Sequence, residues 1–130
     1  MKKHIVNPWK WQDQLGYAQG VEVRNNQGTL YCAGQAAMTA DGQPSEGNMA
    51  QQIELSLQNV EKVVKQAGYH LSNIVRLNIY TTSIDEFFPA YGTLAGWMAQ
   101  HNILPSSTLV EVSALAYPQL KIEFEATVVD

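Results

Sequence analysis

The sequence has one cysteine and two arginines among its 130 residues, and each scarcity excludes a class of protein. A lone Cys32 cannot form an internal disulfide, which excludes a disulfide-stapled scaffold and is compatible with a reducing compartment. Arg24 and Arg76 are too few, in a chain of net charge −4, to neutralise a phosphate backbone. We therefore expect no nucleic-acid partner.

Long apolar runs and familiar catalytic motifs are also absent. No apolar run approaches the roughly 18 residues of a membrane span, and the basic start of the chain lacks the apolar segment of a signal peptide. We therefore expect no membrane partner and a cytoplasmic location. The sequence contains no nucleotide-binding glycine loop, no CxxC and no HExxH, and its histidines are dispersed, so we expect no cofactor and no metal.

The residues that are present favour one α+β domain over residues 1–130. A composition of 45% hydrophobic and 15% charged residues is that of a globular chain with fewer charges than average, so part of its surface is expected to be covered. Hydrophobic patterning predicts a strand, a hairpin, a helix, a strand, a helix and two strands. Their ranges are 3–6, 17–24 with 29–35, 48–68, 73–81, 89–101, 104–115 and 121–126.

Turn and capping residues refine three of these elements. The segment 25–28 predicts a hairpin loop, because Gly28 can adopt positive φ. Asn48 and Gln51 form a capping-box pattern at the start of the first helix, and Gly68 is expected to end it. The apolar stripe of this helix is Met49, Ile53, Leu57, Val60 and Val64, which leaves Gln52 among the outer polar residues.

The second helical region combines a capping residue with a proline. Ser83 predicts a short turn over 83–88, and Pro89 is expected to begin the main helix. Gly92 and Gly96 lie four residues apart on this helix, where they would permit close approach of a neighbouring backbone. Earlier in the chain, we expect Trp9 and Trp11 to pack as anchors of the N-terminal arm, and Cys32 to be a buried hydrophobe.

The connections predict which side of the sheet is covered. Right-handed crossovers place both helices on one side, which leaves the other side bare. The residues expected on this bare face are Tyr31, Ala33, Tyr80, Leu109 and parts of Glu111 and Glu123. Because this set is too apolar for comfortable exposure, we expect a homo-oligomer that packs sheet faces or edges together.

Two glutamates on the last two strands are the candidates for chemistry. A partly desolvated carboxylate at Glu111 or Glu123 could act as a general acid or base, or orient a water. The alternative is a surface cross-strand charge, such as Glu123 or Glu125 beside Lys121. The residues alone leave these two interpretations open.

Several segments, taken together and in order, carry a family resemblance. The chain contains PSSTLVEV at 105–112 and KIEFEA at 121–126, with LYCAGQ at 30–35, GYAQ at 16–19 and a matching helix at 59–68. With these segments it resembles the RidA/YjgF family of reactive-intermediate deaminases, also labelled L-PSP endoribonucleases. The resemblance covers nearly the whole chain.

The resemblance implies both a fold and an activity. The fold is chorismate-mutase-like α+β, a mixed sheet with two helices on one face, assembled as a homotrimer whose sheets form a central barrel. Clefts between subunits would bind a small molecule. The implied activity is hydrolysis of 2-imino and 2-enamino acids to 2-oxo acids and ammonia, without metal or cofactor.

Three site residues of the family are kept. By resemblance, Glu123 is the catalytic residue that positions the hydrolytic water. Tyr17 is the family's substrate-binding tyrosine, and Gly34 supplies a backbone donor to the substrate.

Four substrate-binding positions depart from the family. Ser107 stands where the family has the arginine that pairs with the substrate carboxylate, and a hydroxyl cannot supply arginine's charged fork. Leu109, Ala33 and Tyr91 replace a cysteine, a serine and an asparagine. The chain therefore resembles a divergent subgroup that lacks this arginine, and whether Arg76 substitutes for it is left open.

Two functions follow from this mixed pattern. One is an imine or enamine deaminase with an altered substrate range, acting on a less anionic or more apolar compound. The other is a non-catalytic trimer that binds a small metabolite or has a regulatory role. An endoribonuclease role is disfavoured by the acidic balance of the chain.

Overall fold

The computed structural model describes residues 1–130 and contains seven strands and three helices. The strands are β1 (Lys2–Val6), β2 (Gly20–Arg24), β3 (Thr29–Tyr31), β4 (Gln35–Ala36), β5 (Ile74–Thr81), β6 (Ser106–Glu111) and β7 (Ile122–Val129). The helices are α1 (Met49–Gln66), α2 (Ile84–Phe87) and α3 (Tyr91–Gln100). Short 3-10 turns lie at 11–15, 71–73 and 88–90. None of the helices is long and apolar enough to cross a membrane.

The main sheet is mixed and has the strand order β3-β7-β5-β6, with β4 also paired to β7. β5 and β6 are parallel, and the chain between them crosses over through α2 and α3. β7 runs antiparallel to β3, β4 and β5. The predicted α+β class with a mixed sheet is confirmed.

The predicted hairpin between 17–24 and 29–35 is wrong. β2 pairs with β1 in a separate two-stranded sheet, whereas β3 pairs with β7. The loop turns at Asn25, which has a positive φ of 57°, and not at Gly28. The backbone of Gly28 exchanges hydrogen bonds with Asp130, so the last strand competes successfully for this segment. This pairing also buries Leu30 partly against the main core.

The long helix α1 forms as its sequence predicts. Asn48 and Gln51 exchange side-chain to backbone hydrogen bonds in a capping box, and Gly68 follows the helix with a φ of 87°. All five residues of the predicted apolar stripe are buried. The helix therefore supplies one side of the main core, as expected for an amphipathic helix.

The second helical region forms in two steps, which confirms the predicted short turn. The Ser83 side chain accepts a hydrogen bond from the Glu86 backbone and starts α2. Pro89 lies in the 3-10 turn, and α3 begins at Tyr91, two residues later than predicted. Cβ atoms added at Gly92 and Gly96 would meet nothing within 4 Å, so the close approach expected there does not occur within the chain.

The helices α1 and α3 cover the same face of the sheet, since both pack on the strand residues that point to that side. Successive residues of a strand point to opposite sides. Leu77 and Ile79 of β5 and Phe124 of β7 are buried in one core with Leu57 of α1 and Leu94 of α3. The opposite face is the open face of the sheet. Its principal residues are Tyr31, Arg76, Asn78, Tyr80, Thr108, Val110, Glu123, Glu125 and Thr127.

The strand register corrects the predicted composition of the open face. Leu109 pairs with Ile79 and packs on the helix-covered side. Glu111 is on that side too, where its carboxylate accepts a hydrogen bond of 2.9 Å from the Ile84 backbone. The open face is therefore more polar than the sequence predicted. It lacks Leu109, and the polar side chains of Arg76 and Asn78 lie on it beside Tyr80.

Two aromatic residues of the N-terminal arm are also not where they were expected. Trp9 is 57% exposed and Trp11 is 61% exposed, so neither is a packing anchor. The buried residue of this segment is Gln12, which is fully inaccessible. In contrast, Cys32 is buried, and its burial raises the pKa of the thiol, as expected for an unreactive hydrophobe.

Gln52 is a second polar residue that the periodicity misplaced. It was expected on the outside of α1, but it is fully buried. Its Nε2 donates to the carbonyls of Gly47 and Gln119 at 3.0 and 2.9 Å, and its Oε1 accepts from the Lys121 backbone at 2.8 Å. This one side chain therefore fixes the start of α1 to the loop that leads into β7.

Replacing Gln52 by leucine is expected to destabilise the protein by on the order of 3 kcal/mol, because three partly buried backbone groups lose their partner. The measurement is urea unfolding at one fixed protein concentration. Gln58→Leu on the exposed side of the same helix is the matched control and should change the stability by less than about 0.5 kcal/mol. Equal effects of the two variants would contradict the role of Gln52.

Candidate functional site

An apolar cavity of about 280 Å³ lies beside the edge strand β6 on the helix-covered side. The strand contributes Ser107 and Leu109, and the short helix α2 with the following turn brings in two adjacent phenylalanines. The full lining is Leu15, Tyr17, Ile79, Phe87, Phe88, Tyr91, Ser107 and Leu109. A cavity lined mainly by apolar and aromatic groups is the usual form of a small-molecule site.

Two of the three hydroxyl groups that line this cavity are engaged within the chain, whereas the Tyr17 hydroxyl has no hydrogen-bond partner there. The Ser107 hydroxyl donates to the Leu77 carbonyl at 2.8 Å, and the Tyr91 hydroxyl donates to the Leu15 carbonyl. Burial is the main cause of the raised pKa of Tyr91, and the nearby Tyr17 adds to it, so the Tyr91 phenol stays neutral. No lining residue is charged. Within one copy of the chain, a carboxylate in this cavity would find no cation.

Arg76 does not supply the missing cation to the cavity of its own chain. Its side chain lies on the open face, and Nη2 donates to Thr108 Oγ1 at 2.7 Å. Since Ser107 and Leu109 point to the other side of the sheet, the arginine is separated from the cavity by the sheet itself.

Glu123 lies on the open face against the backbone of Gly34. A Cβ atom at Gly34 would come within 2.5 Å of Glu123 Oε1, so any side chain at this position would require the carboxylate to move. The pKa of Glu123 is raised above its ordinary 4.5, mainly by burial and to a smaller extent by the charge of Glu125. The carboxylate accepts no hydrogen bond and forms no ion pair within the chain.

Glu125, two residues further on the same face, differs in this respect. Its Oε1 accepts hydrogen bonds from Asn78 Nδ2 at 2.9 Å and from the Tyr80 hydroxyl at 3.1 Å. The bond to Glu125 raises the pKa of Tyr80, which keeps that phenol protonated as a donor. Of the two carboxylates on this face, Glu123 is therefore the one left available to a ligand or a water.

The structure brings the predicted site residues together in two groups. Tyr17, Tyr91, Ser107 and Leu109 line the apolar cavity. Gly34 and Glu123 are in contact on the open face, with Ala33 exposed next to Gly34. Because the sheet lies between the two groups, one copy of the chain cannot hold all of these residues around a single ligand.

Sequence reasoning missed half of the cavity lining. Leu15, Ile79, Phe87 and Phe88 were not among the predicted site residues. The adjacent pair Phe87–Phe88 was the available signal, because two large aromatics in a short capped turn cannot both enter the core. Phe87 is buried and Phe88 is half exposed at the mouth of the cavity.

These features define a class of protein. It is an α+β protein with helices on one face of a mixed sheet, a small apolar cavity at the sheet edge and a free carboxylate on the opposite face. Residues 12–130 match the family model described as Endoribonuclease L-PSP. The chain therefore belongs to this family, which is also called RidA/YjgF.

Three relatives illustrate the range of the family. The 2-iminobutanoate/2-iminopropanoate deaminase of Escherichia coli strain K12 is 29% identical over 114 residues, which cover 87% of this chain and 86% of the enzyme. The Rid-family protein YyfB of Yersinia pestis is 28% identical, with a TM-score of 0.88 over 99% of both chains. TdcF of E. coli, solved with bound serine, is 25% identical, with a TM-score of 0.72 over 88% of this chain and 87% of the other.

The unpaired state of Glu123 leads to a stability prediction. Folding raises the pKa of this carboxyl, so ionising it costs more free energy in the native state than in the unfolded state. The free energy of unfolding therefore falls as the pH rises from the unfolded pKa to the folded pKa. Glu123→Gln should therefore raise the free energy of unfolding at pH 8 by up to about 1 kcal/mol, since the group keeps solvent contact, and give no gain at pH 4.

Urea unfolding at pH 4 and pH 8 measures this effect. Glu125→Gln is the matched control on the same strand and should destabilise the protein at pH 8, because it weakens the bonds from Asn78 and Tyr80. A loss of stability at pH 8 in Glu123→Gln would show that the carboxylate has a partner and would contradict the prediction.

Proposed function

We propose that the protein is a homotrimeric hydrolase of imines or enamines, with sites in the clefts between subunits. The observation that carries the proposal is the Glu123 carboxylate, which is half buried against Gly34, has a raised pKa and has no partner within the chain. A free, partly desolvated carboxylate suits a group that must orient a water or accept its proton.

The separation of the two groups of site residues supports the trimer. The open face of one copy carries Glu123, while the edge of the sheet carries the apolar cavity. Packing the open face of one subunit against the β6 edge of the next would bring one carboxylate to one cavity. In the proposed trimer, the sheets form the central barrel and each cleft is built by two single-domain subunits.

The proposed chemistry uses no group outside the chain other than water. Glu123 holds a water against the imine carbon and takes its proton as the carbon–oxygen bond forms. Glu123 then returns this proton to the nitrogen. As the carbon–nitrogen bond breaks, the new hydroxyl group loses its own proton and becomes the carbonyl of the product, and the nitrogen leaves as ammonia. The raised pKa of Glu123 brings it closer to a value at which it can accept and return this proton at neutral pH.

The substrate class follows from the lining of the cavity. The E. coli relative is named for 2-iminobutanoate and 2-iminopropanoate, and TdcF was solved with serine, so these relatives act on or bind small carboxylates. In this chain, the Ser107 hydroxyl is bonded to the Leu77 carbonyl and no lining residue is charged. The proposed substrate is therefore an uncharged, apolar imine or enamine.

A non-catalytic role is the second candidate, and it rests on a separate observation. The cavity that would bind the ligand contains no charged side chain, and two of its three hydroxyl groups are bonded to backbone carbonyls. Such a cavity could bind an apolar metabolite without any reaction. In both cases we propose a cytoplasmic protein, and the carboxylates on the open face disfavour RNA as the ligand.

The trimer leads to a direct prediction. Sedimentation velocity at micromolar concentration should give a single species of three chains, because the open face is covered only by another copy. Glu123→Gln should sediment identically, since it changes neither size nor packing. A monomer at this concentration would contradict the proposed site as well as the assembly.

An imine-hydrolysis competition tests the activity. An amine oxidase would generate an uncharged imine from phenethylamine, and an amino-acid oxidase would generate the corresponding 2-imino acid from phenylalanine, each with semicarbazide as the trap. Catalytic amounts of the protein should suppress the trapped adduct of the uncharged imine more strongly than that of the imino acid. Glu123→Gln should lower the rate of imine hydrolysis, measured from this suppression, by at least about 100-fold.

Glu125→Gln is the matched control in this assay and should keep most of the activity at neutral pH. Unchanged suppression in Glu123→Gln would place the chemistry at another residue. No suppression by a trimeric wild-type protein would support the non-catalytic alternative.

A further inference from the structure

Trp9 and Trp11 form an exposed aromatic pair beside the apolar cavity. Their ring centroids lie 6.5 Å apart, and the ring planes are inclined by 26°, so the two indoles are roughly stacked. More than half of each side chain is exposed. Two adjacent, exposed tryptophans are unusual for a solvent-facing surface, because large aromatics bury most of their area in folded proteins.

The arm that carries the two tryptophans is fixed to the rest of the molecule. Gln12 is fully buried, and its Oε1 accepts from Gln19 Nε2 at 3.2 Å. The Gln19 backbone donates to Asn7 Oδ1 at 2.8 Å, and the Ala18 backbone donates to the Pro105 carbonyl at 2.8 Å. The segment therefore buries an amide and presents its indole rings outward on a held backbone, which reduces the entropy lost when a ligand binds them.

The exposed pair is continuous with the cavity. Trp11 meets Tyr17 edge to face at a centroid distance of 6.4 Å and an angle of 73°, and Tyr17 is part of the cavity lining. Further in, Tyr91 contacts Phe87 and Phe88 at centroid distances of 5.6 and 6.2 Å. An aromatic surface thus runs from the open arm to the floor of the cavity.

We propose that Trp9 and Trp11 form a specificity subsite that receives a planar, uncharged group at the outer end of the ligand held in the cavity. This inference rests on the proposed ligand-binding function of the cavity. A planar group is favoured because indole faces bind flat π-systems in offset or edge-to-face contact. The part of the ligand inside the cavity is expected to be uncharged, because none of the eight lining residues carries a charge to pair with it.

The test compares two uncharged ketones, which represent the carbonyl products of the proposed reaction. 2-Butanone is small enough to lie wholly within the cavity, whereas 4-phenyl-2-butanone adds a phenyl ring for the proposed tryptophan subsite. Dissociation constants are measured by ligand-observed NMR titration on the full-length protein. The wild type should bind the phenyl ketone at least about tenfold more tightly than 2-butanone.

Substitutions identify the source of this preference. Trp11→Ala should weaken binding of the phenyl ketone by about five- to tenfold and leave that of 2-butanone unchanged. Trp11→Phe, which keeps a flat ring, should retain most of the preference. Tyr117→Ala removes another exposed aromatic residue, outside the cavity lining, and is the matched control that should change neither constant.

The outcomes separate the subsite from the function on which it rests. Binding of 2-butanone with no preference for the phenyl ketone would overturn the subsite and leave the cavity intact. An equal loss for both ketones in Trp11→Ala would show that Trp11 only supports the fold, and a changed sedimentation coefficient would assign the rings to a second copy. Failure of the wild type to bind either ketone would overturn the cavity as a ligand site and the subsite with it.

Discussion

The covering of only one face of the mixed sheet is the constraint on which the rest of the structure depends. Period-two alternation sends Leu77, Ile79 and Phe124 into the core beneath α1 and α3. The same alternation forces Tyr80 and Glu123 to the other face, where no helix lies. Hydrophobic burial on one side therefore fixes where the polar chemistry is available on the other.

Two neighbouring glutamates show how this constraint leaves one carboxylate paired and the other free. Both Glu123 and Glu125 lie on the open face, but only Glu125 has donors opposite it, from Asn78 and Tyr80. Glu123 instead rests on Gly34, which has no side chain to offer. The strand that carries both glutamates is held at its start by Gln52, through the Lys121 backbone, so the position of Glu123 depends on a buried amide in α1.

Family membership and side-chain chemistry point to a shared scaffold with a changed ligand. The chain belongs to the RidA/YjgF family, yet the position at which the resemblance expects an arginine is Ser107, whose hydroxyl is bonded within its own sheet. The cavity beside it is lined by Phe87, Phe88 and Tyr91. With these residues in place of an arginine, the proposed site would disfavour a carboxylate ligand, because a buried carboxylate without a partner is unstable.

Local patterns in the sequence determined the elements whose stability is local. The capping box and apolar stripe of α1, the turn at Ser83 and the alternation of β5 were all predictable, because each depends on residues within a few positions of one another. Glu123 and Gly34 were identified through a resemblance, and the structure places them in contact. Tertiary structure alone decided the pairing of β3 with β7, the side of the sheet taken by Leu109, the burial of Gln12 and Gln52, and the exposure of Trp9 and Trp11. Each of these depends on a partner distant in the chain, whose competing hydrogen bonds and buried area cannot be weighed until the backbone has folded.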